Sequence, residues 1–153
     1  MCRAPPEGWP QDVEMLRKKG FRSIAFLCVA NSARSQLAEA IARHLGPPTV
    51  RVYSAGSVPT VVRPEVLAVL TELGIDASGL KSKGLAEIPL SSVDVVITLC
   101  AAEQCPLAVS SGLVLHWELA DPAALDGSTN LAGFRQTRDE LRRRLKRLFP
   151  TAT

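Results

Sequence analysis

A short apolar run, Ile24-Ala25-Phe26-Leu27, meets a helical pattern, Gln36 to Arg43, across one tight stretch, Cys28 to Ser35. A strand, a short loop and a helix start in immediate succession leave little choice of fold. The strand must be buried in a sheet and the helix packed back on it. Such a loop turns its N–H groups inward, and the helix N-terminus adds the positive end of its dipole. The loop itself reads Cys28-Val29-Ala30-Asn31-Ser32-Ala33-Arg34-Ser35, a C-x5-R pattern closed by serine. A cysteine at its mouth faces aligned dipoles and one guanidinium, and both favour the thiolate. The stretch is suited to holding a tetrahedral oxyanion against a sulfur nucleophile.

The same alternation continues along the chain. The first strand is expected over 22–28 and the first helix from Ser35 to Leu45, where Gly46, Pro47 and Pro48 stop it. Val50-Arg51-Val52-Tyr53-Ser54 alternates and is rich in β-branched residues, the mark of a second strand. Pro64 opens a helix running to Leu73, with Val66, Leu67, Val69 and Leu70 at helical spacing. Gly79 to Pro89 reads as loop with a short helix after Ser82. Val93 to Leu99 and Leu113 to Trp117 supply two more strands, and the last helix runs from Leu131 to Leu148. Residues 1–20 read as a polar, proline-containing N-terminal extension with one helical turn around Val13 to Lys19, and 21–150 as one domain. Strands alternating with helices imply an α/β fold with a parallel sheet, whose site lies at the carboxyl ends of the strands. Cys28, Cys100 and Asp121 all follow predicted strands and are expected at that end.

Composition narrows the function classes. With 46% hydrophobic and 22% charged residues over 153 positions, the chain is a soluble globular protein. A net charge of +3 is too mild to argue for nucleic acid. Seven cations lie within Arg135 to Arg147, and they read as a solvated helix face that Asp139 and Glu140 partly neutralise. No apolar run approaches the ~18 residues of a membrane helix. The first twenty residues carry Pro5, Pro6, Pro10, Asp12 and Glu14 and no apolar core of a signal peptide. The expected compartment is therefore a reducing cytoplasm, where cysteines are more often catalytic or metal-binding than structural.

Roles follow from residue chemistry. Cys28 is the nucleophile. Arg34 clamps two oxygens in a bidentate fork that lysine cannot mimic. The oxyanion-binding set is Val29, Ala30, Asn31, Ser32, Ala33, Arg34 and Ser35. Ser35 can donate its hydroxyl to the thiolate, and Asn31 tolerates left-handed backbone. Asp121, presented by Pro122 after a strand, can protonate a departing oxygen. Cys100 and Cys105 sit five positions apart beyond the third strand. They can close a small disulfide as a redox pair, or be buried and inert. Zinc needs four ligands and the sequence offers no second clean pair, so no metal is expected. His116, beside Trp117 in a strand, reads as a packed core histidine.

Phe26 to Glu39 resembles the phosphate-binding loop of the low-molecular-weight protein tyrosine phosphatase superfamily, and its arsenate reductase branch in particular. Tyr53-Ser54-Ala55-Gly56, Asp94 to Cys100, and His116-Trp117 through Asp121-Pro122-Ala123 resemble the same branch in the same order. The resemblance covers about residues 22–149. It implies a three-layer, four-stranded parallel sheet flanked by helices. It also implies reduction of arsenate by a thiol relay with no tightly bound cofactor. Cys28 would form an adduct with arsenate, Cys100 would resolve it as a Cys28–Cys100 disulfide, and Cys105 would attack Cys100 in turn. Phosphate would compete with arsenate, and a thioredoxin-like reductant would restore the thiols.

This sequence departs from the branch in three places. The Cys100–Cys105 segment is short, which leaves a glutaredoxin-type partner with a low-molecular-weight thiol as another reductant. Ala30 stands where many relatives have glycine, and Ala33 replaces a second loop cysteine. The same superfamily offers an alternative activity, a tyrosine phosphatase working through a phosphocysteine at Cys28. No tyrosine or tryptophan flanks Asp121 to stack a phenyl ring, and Cys100 and Cys105 would then have no purpose.

Overall fold

The computed structural model describes residues 8–100, 112–122 and 131–150. Strands β1 (Ser23–Cys28), β2 (Arg51–Gly56), β3 (Val95–Thr98) and β4 (Leu113–His116) form one sheet in the order β2-β1-β3-β4. Every pairing is parallel. Among the described residues four helices accompany them: α1 (Trp9–Lys19), α2 (Arg34–Leu45), α3 (Pro64–Thr71) and α4 (Ala132–Leu148). Each expected strand and helix is present, with ends shifted by one to two residues.

β1 shows why the sheet is sandwiched. Its Ile24 and Phe26 join one apolar cluster, and its Ala25 and Leu27 join another. That is the period-two alternation of a strand covered on both faces. The larger cluster unites Ile24, Phe26 and Ile97 with Leu37 and Ile41 of α2, Leu70 of α3, and Phe134 and Leu141 of α4. The smaller joins Ala25, Leu27 and Val96 to Ile88 and Leu90. Among the described residues, two short 3-10 turns, Leu85–Glu87 and Leu90–Ser92, lie in this second layer.

Two local readings change. Residues 9–19 form a complete helix rather than one turn. Its buried residues Trp9, Val13 and Leu16 are few but fall on one face, and Met15 packs partly buried against the same core. Burying Val13 and Leu16 contributes about 1.5–3 kcal/mol each, which supports a helix whose other positions are mostly polar. Pro10 lies in its first turn, and Gly20, at φ +77°, ends it. On α4, Phe134, Leu141, Leu145 and Leu148 are buried as their spacing requires. Arg138 and Arg144, however, are buried too, so the cations do not all lie on a solvated face. Arg138 donates to Val69 O and to Glu72, tying α4 to α3. The guanidinium of Arg144 lies 5.3 Å from the Trp9 ring centroid and pairs with Glu140.

The strand order places the site. From β1 the chain moves outward to β2, then returns to lay β3 against the other side of β1. The order reverses at β1, which opens a crevice beyond the carboxyl ends of β1 and β3. Among the described residues, no helix is long and apolar enough to cross a membrane.

Candidate active site

β1 ends at Cys28 and α2 begins at Arg34. Among the described residues, Asn31 is the one non-glycine residue with positive φ, at +48°. The left-handed conformation, which asparagine tolerates, is what folds the loop. Ala30 is not in the left-handed region, so the loop accommodates its Cβ without that strain.

The hydrogen bonds of the loop carbonyls fix which way its peptide units face. Val29 O accepts from Val58 N at 2.8 Å, Ala30 O from Thr60 N at 3.1 Å, and Ser32 O from Arg63 N at 3.0 Å. Ala33 O accepts from Leu37 N, and Asn31 O from the Gln36 amide at 3.0 Å. All five carbonyls between Cys28 and Arg34 are therefore engaged. In a trans peptide the C=O and the following N–H are antiparallel. The N–H groups of residues 30–34 consequently point the other way, into a common cradle at the start of α2.

The Cys28 thiol is anchored from behind. Cys28 Sγ lies 2.8 Å from Ser35 Oγ. Asn31 Nδ2 donates to that same Oγ at 2.7 Å and to Ser54 Oγ at 3.0 Å. Its Oδ1 accepts from Gln36 Nε2 at 2.8 Å and from Lys83 N at 2.7 Å, which settles the orientation of the amide. Ser35 Oγ is thus an acceptor from Asn31, and its own proton is available to the sulfur. Ser54 in turn donates to Glu39, a buried carboxylate that Arg43 meets at 2.6 Å and Lys83 at 3.3 Å. The two cations offset the cost of burying Glu39. A polarised chain runs from there to Cys28 through Ser54, Asn31 and Ser35.

Arg34 points along the cleft and donates to Leu119 O at 3.0 Å. Cys28, Val29, Ala30, Ser32, Ala33, Arg34 and Asp121 line one cavity of about 210 Å³, a size suited to a small oxyanion. Asn31 and Ser35 are fully buried and hold the loop rather than line it. Asp121 is exposed at the cavity mouth, and Pro122 behind it is buried. Cys100 is fully buried just past β3, and neither it nor Cys28 is disulfide-bonded. Leu99 N donates to Leu27 O, so the ends of β3 and β1 that carry the two cysteines lie side by side. Cys105 lies outside the described residues. His116 is buried in the core, its Nδ1 2.6 Å from Thr98 Oγ1.

Several supporting residues escaped sequence reasoning. Gln36 and Glu39, three apart on the buried side of α2, are its polar residues among Leu37, Ala38, Ala40 and Ile41, and that misfit was a legible signal. Gly56 is another: a Cβ there would stand 2.3 Å from Val29 O, so β2 can approach the loop only at glycine. Lys83, Ser82 and the Leu119 carbonyl had no local signal, because chain folding alone brings them in.

Comparison with known proteins agrees with this geometry. The model of the low molecular weight phosphotyrosine protein phosphatase family matches residues 23–153. An arsenate reductase of Halalkalibacterium halodurans is 38% identical over 132 residues, 84% of this chain and 95% of its own length. A glutaredoxin arsenate reductase of Synechocystis sp. is 35% identical over 84% of this chain and 96% of its own. Among solved structures, an arsenate reductase in the phosphate binding state superposes with a TM-score of 0.71 at 32% identity, covering 86% of this chain and 99% of its own. A thioredoxin-dependent arsenate reductase of Corynebacterium glutamicum gives 0.66 at 29% identity, over 95% of this chain and 72% of its own.

Proposed function

The chain belongs to the low molecular weight phosphotyrosine protein phosphatase family, and from that membership we propose that it is an arsenate reductase working by a cysteine relay. Cys28 thiolate attacks arsenic, and Asp121 protonates the oxygen that leaves as water. The loop N–H groups and Arg34 hold the remaining oxygens, so the charge that develops meets fixed dipoles. Cys100 then attacks Cys28 Sγ. The S–As bond breaks with its electron pair passing to arsenic, which leaves as arsenite, and a Cys28–Cys100 disulfide forms. Cys105 attacks Cys100, freeing Cys28 and leaving a Cys100–Cys105 disulfide. A thioredoxin-like or glutaredoxin-like dithiol reduces that disulfide and closes the cycle.

The observation that carries this reading is the second cysteine beside the cradle. Ester hydrolysis needs no thiol besides Cys28, whereas reduction needs a resolving thiol, and Cys100 lies two residues past β3, the strand paired with β1. The test uses fully reduced protein under anaerobic conditions with no added reductant. One equivalent of arsenate is added, arsenite is assayed, and thiols are mapped by mass spectrometry. Arsenite release with loss of two thiols, assigned to Cys28–Cys100 or Cys100–Cys105, is the expected result. Unchanged thiols would refute an internal relay. Arsenite release on adding an external thiol would then identify a reductase without an internal relay, and no release would identify a phosphatase.

A further inference from the structure

α1 precedes the residues that the family model matches, yet it reaches the active site through a continuous set of bonds. The Asp12 carboxylate accepts from Trp117 Nε1 at 3.0 Å. Trp117 is 1% exposed, and its backbone N–H donates to Thr98 O at 2.8 Å. Two residues on, Leu119 N donates to Leu99 O at 2.9 Å, and Leu119 O accepts from Arg34 Nη1 at 3.0 Å. The same short segment leads to Asp121 at the cavity mouth.

We propose that Asp12 is a positioning residue for the oxyanion clamp: through Trp117 it fixes the 117–121 segment whose carbonyl aims Arg34 and whose end carries Asp121. Residues 117–119 continue β4 along β3 by backbone bonds to Thr98 and Leu99, but such bonds alone allow the segment to twist about its axis. A buried indole tied by its N–H to a carboxylate on a packed helix removes that freedom. The helix is itself fixed independently, by buried Val13 and Leu16 and by Trp9 against α4. Asp12 therefore adds aim rather than bulk packing. A guanidinium displaced by a fraction of an ångström loses its bidentate geometry on a tetrahedral oxyanion.

The inference rests on the oxyanion-binding role proposed for the loop, and the experiment separates the two. Inorganic phosphate is titrated calorimetrically into the reduced full-length chain, and Tm is measured in parallel, for wild type, Asp12→Ala, Asp12→Asn and Val13→Ala. The expected result is a phosphate Kd raised about three- to tenfold in Asp12→Ala. Asn keeps an acceptor for the indole, so Asp12→Asn is expected within twofold of wild type. Val13→Ala is expected to lower Tm and leave Kd unchanged. An unchanged Kd in Asp12→Ala overturns the proposal. So does a rise in Kd that tracks lost Tm equally in Asp12→Ala and Val13→Ala, since that is mere destabilisation. If Asp12→Ala does not fold, Trp117→Phe removes the same hydrogen bond from the other side and must show the same rise. Absence of phosphate binding in wild type would overturn the oxyanion reading, and with it this one.

Discussion

Gly56→Ala places one methyl group where the structure has no room for it. The new Cβ would lie 2.3 Å from Val29 O and 2.8 Å from Asn31 N, whereas real Cβ contacts essentially never fall below 3.0 Å. Restoring contact requires β2 and the loop to separate by about 0.7 Å. Neither side yields freely. Val29 O is held by Val58 N, and Gly56 N donates to Lys83 O at 2.9 Å. Both clashing groups are backbone, so no side-chain rotation relieves them. Overpacking of this kind costs about 1–3 kcal/mol of stability. The functional cost should be larger, because the displaced peptides carry the N–H groups of the cradle. A misplacement approaching 1 Å at a reacting centre costs up to ~10²-fold in rate. We expect Gly56→Ala to remain folded with a lowered Tm, to bind phosphate at least tenfold more weakly, and to release arsenite about 10²-fold more slowly in a single turnover. Phosphate affinity and turnover both within twofold of wild type would show that the loop's position does not depend on that approach.

Cys100→Ser should stop arsenite release while sparing slow aryl phosphate hydrolysis; intact arsenite release would eliminate the relay. In Cys105→Ser, arsenate should still consume Cys28 and Cys100, and mass mapping should find the Cys28–Cys100 disulfide accumulating; a different pairing would reassign the order. Asp121→Asn should slow adduct formation by about 10²–10⁴-fold, the usual contribution of a general acid, with phosphate affinity changed only a fewfold, both read by stopped flow and calorimetry. Glu72 is held at a pKa of about 2, below the ordinary 4.5, chiefly by hydrogen bonds from Arg135 and then from Arg138. A carboxylate depressed on folding stabilises fully above its unfolded value and loses that contribution as pH falls through the folded one. The Tm gap between wild type and Glu72→Gln should therefore be constant above about pH 5.5 and shrink between 4.5 and 2. A gap undiminished at pH 2 would contradict the ion-pair origin.

Much of this molecule is readable from local pattern. The run Ile24 to Cys28, the C-x5-R loop and the α2 periodicity lie within one stretch of chain. Backbone sterics and burial act on neighbouring residues there, so strand, loop and helix follow directly, and with them the places of Cys28 and Arg34 at the two ends of the loop. The left-handed backbone of Asn31 was legible for the same reason. Helix α1 was not, because a few apolar residues in a largely polar stretch become a helix only when α4 and the sheet offer them a place to be buried. Arg138 and Arg144 misled for a similar reason: charge alone suggests solvent, whereas partners on α3, and Trp9 of α1 with Glu140, make burial tolerable.

The supports of the site depend on contacts between residues far apart in the chain. Lys83 meets Asn31 and Glu39, Val58 and Thr60 turn the loop carbonyls, and Leu119 receives Arg34 across 85 positions. Such pairings carry no local signal, since their energy exists only once the sheet has brought the carboxyl ends of β1, β2, β3 and β4 together. The placement of Cys28 and Arg34 around one small cavity was thus written in consecutive residues. The direction of each loop peptide, the burial of Cys100 beside Cys28's strand and the aim of Arg34 were decided by the tertiary fold.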